Sequence, residues 1–559
     1  MPYFSITPAR LAQTTSIVTV GALATTYILY VYVEKLGPAF LPMLSDTFVP
    51  APGNYISRVV LSGAALIIGC IGAAPYYTKR QSILPIGRKA LLSMSTVASV
   101  CLGVVGAVCE DDNTPSCMGN DKVHSSSAIV FFVLYDVYMI ALSFKKPILT
   151  DATFTQRYII FFSLFLSLMS KLRWIPPSAY SWLLAPDDPS TSSTYAVTPL
   201  SGNASSSRFF KLFAAEEEGE DDYDGSPSKS PVWLACAEYT DVVSIMTWMA
   251  TYMQIIGSDF EYGLVDQRPD PPPPTTTTQP PPAISAAKAK KGGKAAQDGK
   301  AESLLPANEA LSDGAAIETK PPPTPAYPDI LCSVSVRTLS ECVLVLGIGT
   351  VGYTFSLALK NGSIHPATEW PMISDLWVTK PGNMLSRYFV CLGGALCGLA
   401  LVAHHVAVRP KRTHHPKFLI CGTAAGVTGA AALMGVGAIN EDEDHTAHIT
   451  CAVTFFGGMI IWAACDLVSS TGVWVGHSRA LGVICAGTLL ACKLAQLCHV
   501  IKHGTPRRDP EGAFGGTAII EWVAYVSLLG YFGLANHAAP ESKTTKWAFY
   551  WVAMANAAK

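Results

Sequence analysis

The sequence predicts an all-α membrane protein with about twelve transmembrane helices, arranged as two parallel six-helix bundles. Three observations lead to this prediction: few charged residues, a series of long apolar segments and an internal repeat. Of the 559 residues, 50% are hydrophobic and only 14% are charged, and the mean hydropathy is +0.32. Soluble domains contain about 25% charged residues, so much of the surface of this chain is expected to face lipid.

The apolar segments are long enough, or nearly so, to cross a bilayer, which takes about 20 helical residues. The first segment lacks a small-residue cleavage site and is interpreted as a retained helix rather than a signal peptide. The segment at 156–172 is the shortest, and the segment at 233–257 is the most polar. The segments lie near 14–33, 59–77, 90–108, 126–144, 156–172 and 233–257, and near 339–359, 387–407, 418–438, 449–468, 480–500 and 518–536.

The apolar segments divide the chain into two units, residues 1–257 and residues 336–559. Between them, residues 258–335 form a linker rich in Pro, Thr, Lys and Ala. Such a composition cannot bury a hydrophobic core and is typical of disorder. A polar insert at 186–230, between the fifth and sixth helices, has the same character. The proline-rich linker is a candidate binding segment for a protein partner, although a plain spacer is the favoured interpretation.

Basic residues in three loops after even-numbered helices place these loops and both termini in the cytoplasm by the positive-inside rule. One loop disagrees, because Lys502, Arg507 and Arg508 fall on the predicted lumenal side. An odd number of helices in the second half would explain this loop, but a tolerated exception is the favoured interpretation. The acidic stretches at 110–112 and 441–444 then fall on the opposite, lumenal side. The two Asn-X-Ser sequons, at Asn203 and Asn361, are also predicted to be lumenal and are candidate glycosylation sites. The basic residues are Lys79, Arg80, Arg88, Lys89, Lys145, Lys146, Arg157, Arg409, Lys411, Arg412 and Lys417.

The two units share a repeat. Residues 42–58 and 371–387 are identical at ten of 17 positions, where unrelated segments would share about one or two. Each copy follows the first helix of its unit and contains Ser-Asp, Pro-Gly-Asn and a final Arg. In the same order, a His begins the fourth helix in the pattern H-x-x-x-A-x-x-F-F, and a Glu before an aromatic residue lies in the sixth. The units are therefore predicted to be parallel copies from a tandem duplication.

The repeated polar residues form the candidate site. The first interpretation is structural, because Asp in a tight turn can cap the following helix. In the second, the Asp and Arg of each copy bind a lipid headgroup at the lumenal side. In the third and weakest, the Ser is a nucleophile and the His its base. The candidates are Ser45, Asp46, Asn54, Arg58, His124 and Glu238 in the first unit and Ser374, Asp375, Asn383, Arg387, His448 and Glu521 in the second.

The histidines and glutamates each have a structural and a functional interpretation. A hydrogen-bonded His at a helix start is favoured over a metal ligand. We expect no cofactor and no metal, with Asp444, His445 and His448 as the one weak candidate set. A Glu inside a span is a functional candidate, but hydrogen bonds that hold the sixth helix to its bundle explain it equally well. Three further ionisable residues in spans lack a sequence counterpart in the other unit and carry less weight: Asp136, Asp241 and Lys493.

The order of these motifs resembles the Frag/DRAM/Sfk family of six-helix membrane proteins, which includes damage-regulated autophagy modulators and relatives of the factor that acts after GPI attachment. The resemblance covers most of 10–257 and 336–540. It implies a lumenal polar site in a multi-pass protein of the endomembrane system, in the ER or Golgi, the lysosome or the plasma membrane. It also implies a role in lipid organisation, GPI-anchor lipid remodelling or autophagy and trafficking, and it implies no established catalytic mechanism.

The favoured function is therefore a non-enzymatic membrane protein that binds or organises lipids, with membrane lipids as its partners. A twelve-helix transporter with two parallel halves is an alternative, but the loop between the second and third helices lacks the acidic residue of the major-facilitator motif. A lumenal lipid hydrolase or acyltransferase is a third hypothesis, and it requires Ser and His of one unit within hydrogen-bond reach. The net charge of −2 gives no indication of nucleic acid binding.

Overall fold

A computed structural model shows a helical membrane protein with an α-helix at each of the predicted segments. The polar insert at 186–230 and the middle of the predicted linker lie outside the described residues. The structure describes residues 2–34, 44, 46–49, 51–77, 85–108, 121–145, 147–171, 232–256, 260–266, 330–364, 370–378, 382–408, 415–469, 477–503, 515–539 and 543–551.

Six long helices lie in the described part of each half. Those of the first half are α1 (Pro8–Ile28), α2 (Gly53–Tyr77), α3 (Pro85–Ala107), α4 (Asp121–Ser143), α5 (Phe154–Ser170) and α6 (Val232–Ile256). Those of the second half are α7 (Val336–Lys360), α8 (Gly382–Val408), α9 (Pro416–Ala438), α10 (His445–Ser469), α11 (His477–His503) and α12 (Gly515–Ala538). In both halves the first helix packs against the second and sixth, and the fifth packs against the sixth.

Ten of these helices are long and apolar enough to cross a membrane. α5 falls short with 17 residues, and α6 is not among the ten because polar residues interrupt its apolar sequence. The multi-pass membrane class is confirmed. The expected count of about twelve spans is supported for ten helices by their length and composition.

Polar side chains fix where several helices begin. Thr7 caps α1, and its side chain accepts a hydrogen bond from the N–H of Arg10. Thr153 and Gln156 form a reciprocal capping box at the start of α5, and Ser335 caps α7. These bonds satisfy backbone N–H groups that have no partner within the helix. Inside the bilayer, the helices then satisfy their remaining backbone groups internally.

Four short strands form an antiparallel sheet that the sequence did not predict. They are β1 (Pro2–Ile6), β2 (Phe260–Asp266), β3 (Ile330–Ser335) and β4 (Thr545–Trp551), in the order β1-β2-β4-β3. β1 and β2 flank the helices of the first half, and β3 and β4 flank those of the second. Each half therefore starts and ends at the same side of the molecule, as an even number of membrane crossings per half requires.

The sheet corrects the outer boundaries of the predicted linker and adds a small β element to a helical protein. The first and last parts of 258–335 pair with β4 instead of extending freely. Both parts contain β-branched and aromatic residues, which favour strands. The proline-rich composition between them concealed this signal.

The two halves are in direct contact through their second and third helices. α2 packs against α8 and α9, and α3 packs against α8. A Cβ atom at Gly103 would overlap the ring of Tyr388, so a small residue permits this close approach, as is common between membrane helices. Tyr55 and Val59 of α2 cover a buried apolar cluster around Cys391 of α8.

We expect the halves to remain associated after the chain is cut between β2 and β3, because the sheet and the α2–α8 contact both join them. A protease site placed within 267–329 allows the cut, and size-exclusion chromatography in mild detergent follows it. Co-elution is expected for the cut protein. Gly103→Leu should weaken the association, whereas Gly349→Leu, at an exposed position on α7, should not. Separate elution of the halves of the unsubstituted protein would contradict the proposed contact.

Candidate functional site

The repeated Ser-Asp segments form corresponding loops in the two halves. A 3₁₀ turn covers Asp46–Phe48 in the first half, and another covers Ser374–Trp377 in the second. The Oδ2 atom of Asp375 accepts a hydrogen bond of 2.8 Å from the N–H of Met372. Asp375 therefore stabilises its own turn, as the structural interpretation expects. Ser45 and the side chain of Asp46 lie outside the described part of the chain.

A glycine connects each loop to the helix that follows it. A Cβ atom at Gly53 would overlap the carbonyl oxygen of Thr47, and one at Gly382 would overlap that of Leu376. These four residues occupy matching positions in the repeat. Since a backbone oxygen cannot rotate away as a side chain can, only glycine fits this approach. The Pro-Gly-Asn of each repeat thus holds the turn against the second helix.

The glutamates of the sixth helices bind the backbones of these loops. The Oε2 atom of Glu238 accepts a hydrogen bond of 2.7 Å from the N–H of Leu44. The Oε2 atom of Glu521 accepts one of 3.2 Å from the N–H of Ile373, which is the residue that matches Leu44 in the repeat. Both contacts agree with the interpretation in which the glutamates hold the sixth helix to its bundle. In the second half, Trp522 Nε1 also donates to the carbonyl of Pro371 at 2.9 Å.

The two histidines at the start of the fourth helices make corresponding contacts. His124 Nδ1 lies 2.6 Å from the carbonyl oxygen of Val108, and His448 Nδ1 lies 2.7 Å from that of Ile439. Both rings are buried, and each joins the start of the fourth helix to the end of the third. None of the hydrogen bonds between described residues joins Ser374 to His448, so the second half offers no support for a Ser–His nucleophile pair.

The arginines that end the repeat converge on one carboxylate at the contact between the halves. Arg58 Nη1 and Nη2 lie 2.6 and 3.1 Å from the two carboxylate oxygens of Glu443. Arg387 Nη2 forms an ion pair with the same Glu443. Arg58 also donates to the carbonyl of Ala438 at 2.6 Å. Both arginine residues are 1% exposed, so this arginine–glutamate junction is almost completely buried.

In the junction, a residue from outside the repeat binds both repeat arginines. Glu443 lies in the loop between α9 and α10, in the acidic stretch predicted to be lumenal. Burial by itself raises the pKa of Glu443, but the Arg58 and Arg387 guanidinium groups and the N–H of Asn440 outweigh it and lower the pKa to about 2. Both guanidinium groups therefore bind the same ionised carboxylate.

The two repeated asparagines lie one helical turn before the arginines and are also buried. Each is the second residue of its helix and directly follows the loop glycine. Among the described residues, the side-chain carbonyl oxygen of Asn54 has no hydrogen-bond partner. This oxygen can accept a hydrogen bond from a ligand or water.

The weak metal candidates do not converge. Asp444 Oδ1 accepts a hydrogen bond of 2.9 Å from the N–H of Ala447, and His445 Nδ1 lies 3.2 Å from Glu441 Oε1. His448 binds a carbonyl oxygen instead, as described above. Within the residues that the structure describes, no group of three or more His, Cys, Asp or Glu side chains could hold a metal ion.

Of the two sequons, the one at Asn361 lies among the described residues. Asn361 is exposed at the carboxyl end of α7, and Gly362 follows it with φ of +67°. This end of α7 is the one predicted to be lumenal. Asn203 lies outside the described residues.

Each half contains a mostly apolar cavity beneath its loop. The first has a volume of about 60 Å³ and the second of about 70 Å³. His124 and Glu238 add polar groups to the first. A cavity that binds benzene has about 150 Å³, so each cavity has room for the end of an alkyl chain rather than a whole lipid. Four pairs of lining residues occupy matching sequence positions: Phe48 and Trp377, Leu61 and Val390, Phe131 and Phe455, Ile245 and Leu528.

Each half has a lysine in its fifth-helix region, of which Lys493 carries little weight in the sequence and Lys171 was not predicted as a candidate. Lys171 Nζ lies 4.7 Å from the ring centre of Phe132, and Lys493 Nζ lies 3.4 Å from that of Phe456. Both phenylalanines are the last residue of H-x-x-x-A-x-x-F-F. Lys493 therefore has a spatial counterpart, contrary to its interpretation from sequence alone. Lys171 could have been predicted as a candidate, because it directly follows an apolar helix that is too short to span the bilayer.

The two lysines differ in their partners. Lys171 forms ion pairs with Asp241 and, at 3.3 Å, with Asp136. Ser167 Oγ lies 2.7 Å from each of these aspartates. Asp136 and Asp241, which carried little weight in the sequence, are thus parts of one cluster. Lys493 instead donates to Gln496 Oε1 at 2.7 Å.

A further buried polar network in the second half was not predicted by any pattern in the sequence. His404 Nε2 lies 3.1 Å from Asp466 Oδ1, and Tyr531 donates to Asp466 Oδ2 at 3.0 Å. His404 Nδ1 also lies 3.1 Å from Asn536 Oδ1. The network joins α8, α10 and α12 near the helix ends that face the sheet, away from the loops.

Comparison with protein families shows a match of residues 336–536 to the model described as Frag1/DRAM/Sfk1/Cwh43P N-terminal domain. The match begins with α7 and ends within α12, so it covers the six helices of the second half. It supports this membrane-protein family for the C-terminal half of the chain. Comparison with the curated proteins and with the solved structures gives no match.

Replacing Glu443 by Gln should destabilise the folded protein by about 3–5 kcal/mol, because two buried guanidinium groups would lose their counter-charge. Thermal unfolding of the purified protein in detergent measures this change. The matched control is Glu441→Gln, which affects a more exposed contact with His445 and should cost less than about 1 kcal/mol. Equal effects of the two substitutions would contradict the junction's role.

The junction should also make stability depend on acidity. The pKa of Glu443 is lowered in the folded state, so its stabilising effect is complete above the unfolded value of 4.5 and is lost as the pH falls towards 2. Between about pH 7 and pH 5, Glu443 should therefore not contribute to any change in the unfolding midpoint. Below about pH 4.5 the wild-type midpoint should fall more steeply than that of Glu443→Gln. Parallel curves for both proteins would argue against the lowered pKa.

Proposed function

We propose that this protein binds or organises membrane lipids through one amphiphilic site in each half, and that the halves arose by tandem duplication. The observation that carries the proposal is the pair of matching sites, each with a polar loop above an apolar cavity. An apolar cavity with a few convergent polar groups is the usual form of a small-molecule site. A lipid has the same division into a polar head and an apolar chain.

The internal correspondence of the halves supports the duplication. The loop glycines, the helix-six glutamates and the helix-four histidines make the same contacts twice. The cavities are lined at matching positions. Independent origin would have to produce each of these contacts separately, at the same places in the repeat.

The proposal assigns the loops and cavities to the lumenal leaflet. The sheet collects the chain ends of both halves at one side, and the repeated loops lie at the opposite ends of the helices. The positive-inside rule puts the sheet in the cytoplasm. The family resemblance then favours a place in the endomembrane system, with GPI-anchor lipid remodelling or autophagy and trafficking as the process served.

The geometry favours lipid binding over the two alternatives. Transporters with two parallel halves bind substrate between the halves, whereas here each cavity lies within one half and an ion-paired junction occupies the contact between them. For hydrolysis, the described second half lacks a hydrogen bond between Ser374 and His448, and both histidines are engaged with backbone carbonyls. Lipid binding requires neither feature.

Filling a cavity provides the direct test. Gly393 lines the second cavity, and a Cβ atom there would meet nothing within 4 Å. Gly393→Leu should therefore occupy the cavity without disturbing the backbone. Mass spectrometry of total lipids and GPI anchors is carried out on cells that lack the protein, and on the same cells after re-expression. The wild type should restore the lipid profile, and Gly393→Leu, which leaves the first cavity open, should restore it only in part at equal expression.

Gly349→Leu is the matched control, because this α7 glycine is exposed, does not line the cavity and also has open space at its Cβ position. It should restore the profile as the wild type does. A changed composition of GPI acyl chains in the null cells would favour GPI-anchor remodelling. If loss of the protein left every lipid class unchanged, or if Gly393→Leu restored the profile fully, the proposed lipid function would be wrong.

A further inference from the structure

The fifth-helix lysines define a second type of site, outside the loops and cavities. In both halves the ammonium group lies against the face of the matching helix-four phenylalanine. A cation buried among membrane helices is costly without a counter-charge and marks a functional position. Each lysine is therefore expected to have a counter-charge nearby.

In the first half, carboxylates of the protein itself neutralise the lysine. Asp136 and Asp241 both pair with Lys171, and Ser167 joins the two carboxylates. The cluster needs no external anion, so we assign it the structural role of joining α4, α5 and α6.

In the second half both aspartates are replaced. The residue that matches Asp136 is Ile460, counted from the repeated His, and the residue that matches Asp241 is Ala524, counted from the repeated Glu. Among the described residues, Lys493 forms no ion pair with a carboxylate, and its hydrogen bond goes to the neutral Gln496. Glu521 interacts with it electrostatically but is engaged with the loop backbone.

Lys493 is itself half-buried, but it lies on a helix that is mostly exposed to the bilayer. Of the ten candidate spans, α11 has the smallest buried share, 11%. The neighbouring side chains of Leu490, Leu494 and Leu497 are exposed. Along α11, Lys493 lies ten residues before the helix end, about 15 Å from the loop that joins α11 to α12. A lysine side chain at this depth extends towards the adjacent leaflet surface, and local thinning of the bilayer can bring a lipid phosphate within its reach.

We propose that Lys493 binds the phosphate of an anionic phospholipid in the predicted lumenal leaflet, and that only the second half has this site. The proposal rests on the proposed lipid function and names a ligand class for it. The lipid phosphate takes the place that Asp136 and Asp241 occupy around Lys171. The acyl chains lie along the exposed face of α11. The two halves have therefore diverged, with a closed ion cluster in one and an open anion site in the other.

The test is a lipid titration of the purified, delipidated full-length protein in detergent, followed by native mass spectrometry. The probe is a dioctanoyl phosphatidic acid, with dioctanoyl phosphatidylcholine and inorganic phosphate as comparisons. Lys493→Met should weaken the apparent affinity for phosphatidic acid by about fivefold or more, and Lys493→Arg should retain it. Lys360→Met, at the predicted lumenal end of α7, is the matched control and should bind as the wild type does.

Unfolding temperatures without lipid separate a binding defect from misfolding. Phe456→Leu provides a second variant, which keeps the charge but removes the ring beneath it and should weaken binding to a smaller degree. Wild-type affinity in Lys493→Met would overturn the proposal, and competition by inorganic phosphate would assign the site to free phosphate instead of a lipid. Because Gly393 and Lys493 lie in different places, Lys493→Met can fail here while the cavity experiment still supports the lipid function.

Discussion

The contact between the halves depends on one buried carboxylate. Glu443 holds Arg58 of the first half and Arg387 of the second, and these arginines end the two copies of the repeat. Removing charges from water is costly, and the cost is recovered only when the partners are close and well hydrogen-bonded. The carbonyl of Ala438 and the N–H of Asn440 supply further hydrogen bonds. The junction therefore positions both loops, and through them both cavities, relative to each other.

The junction also explains why two similar halves do not form a symmetric pair. Only the second half supplies the shared carboxylate, although both supply an arginine. The fifth helices show a similar difference. In the first half, aspartates of the same half neutralise the lysine, and in the second half these aspartates are replaced. In each case both halves supply a cation, and the difference lies in which half supplies its counter-charge. A duplicated protein can acquire distinct roles for its halves through such changes without altering the helices.

Much of the fold could be predicted because the bilayer restricts the choices. Apolar segments of sufficient length become helices, and all predicted segments do so, even Phe154–Ser170 with its 17 residues. The repeat located the loops, the histidines and the glutamates that the structure places in corresponding contacts. The sheet was missed because its strands are short and flank a proline-rich linker. Pairing strands from both termini and both linker ends is a long-range event that local composition does not reveal.

The partners of the charged residues could not be predicted either. The sequence leads us to expect that Asp375 and Arg387 bind a lipid headgroup together. In the structure, Asp375 also binds the backbone of its own turn, and Arg387 forms an ion pair with Glu443 from a different loop. Lys171 and Lys493 share no sequence pattern and become comparable only through the phenylalanines beneath them. Such pairings depend on how the helices pack against each other. They cannot be predicted from a single sequence when the paired positions are not part of an internal repeat.

A cryo-electron microscopy map of the protein in lipid nanodiscs would show whether each half binds a lipid. Elongated lipid density is expected in each half, with a chain end inside the cavity and the headgroup near the repeated loop. In the second half, density for a phosphate should also lie beside Lys493. Cavities that contain only water, or lipid density that follows the outer surface without entering either half, would show that the cavities are not lipid sites.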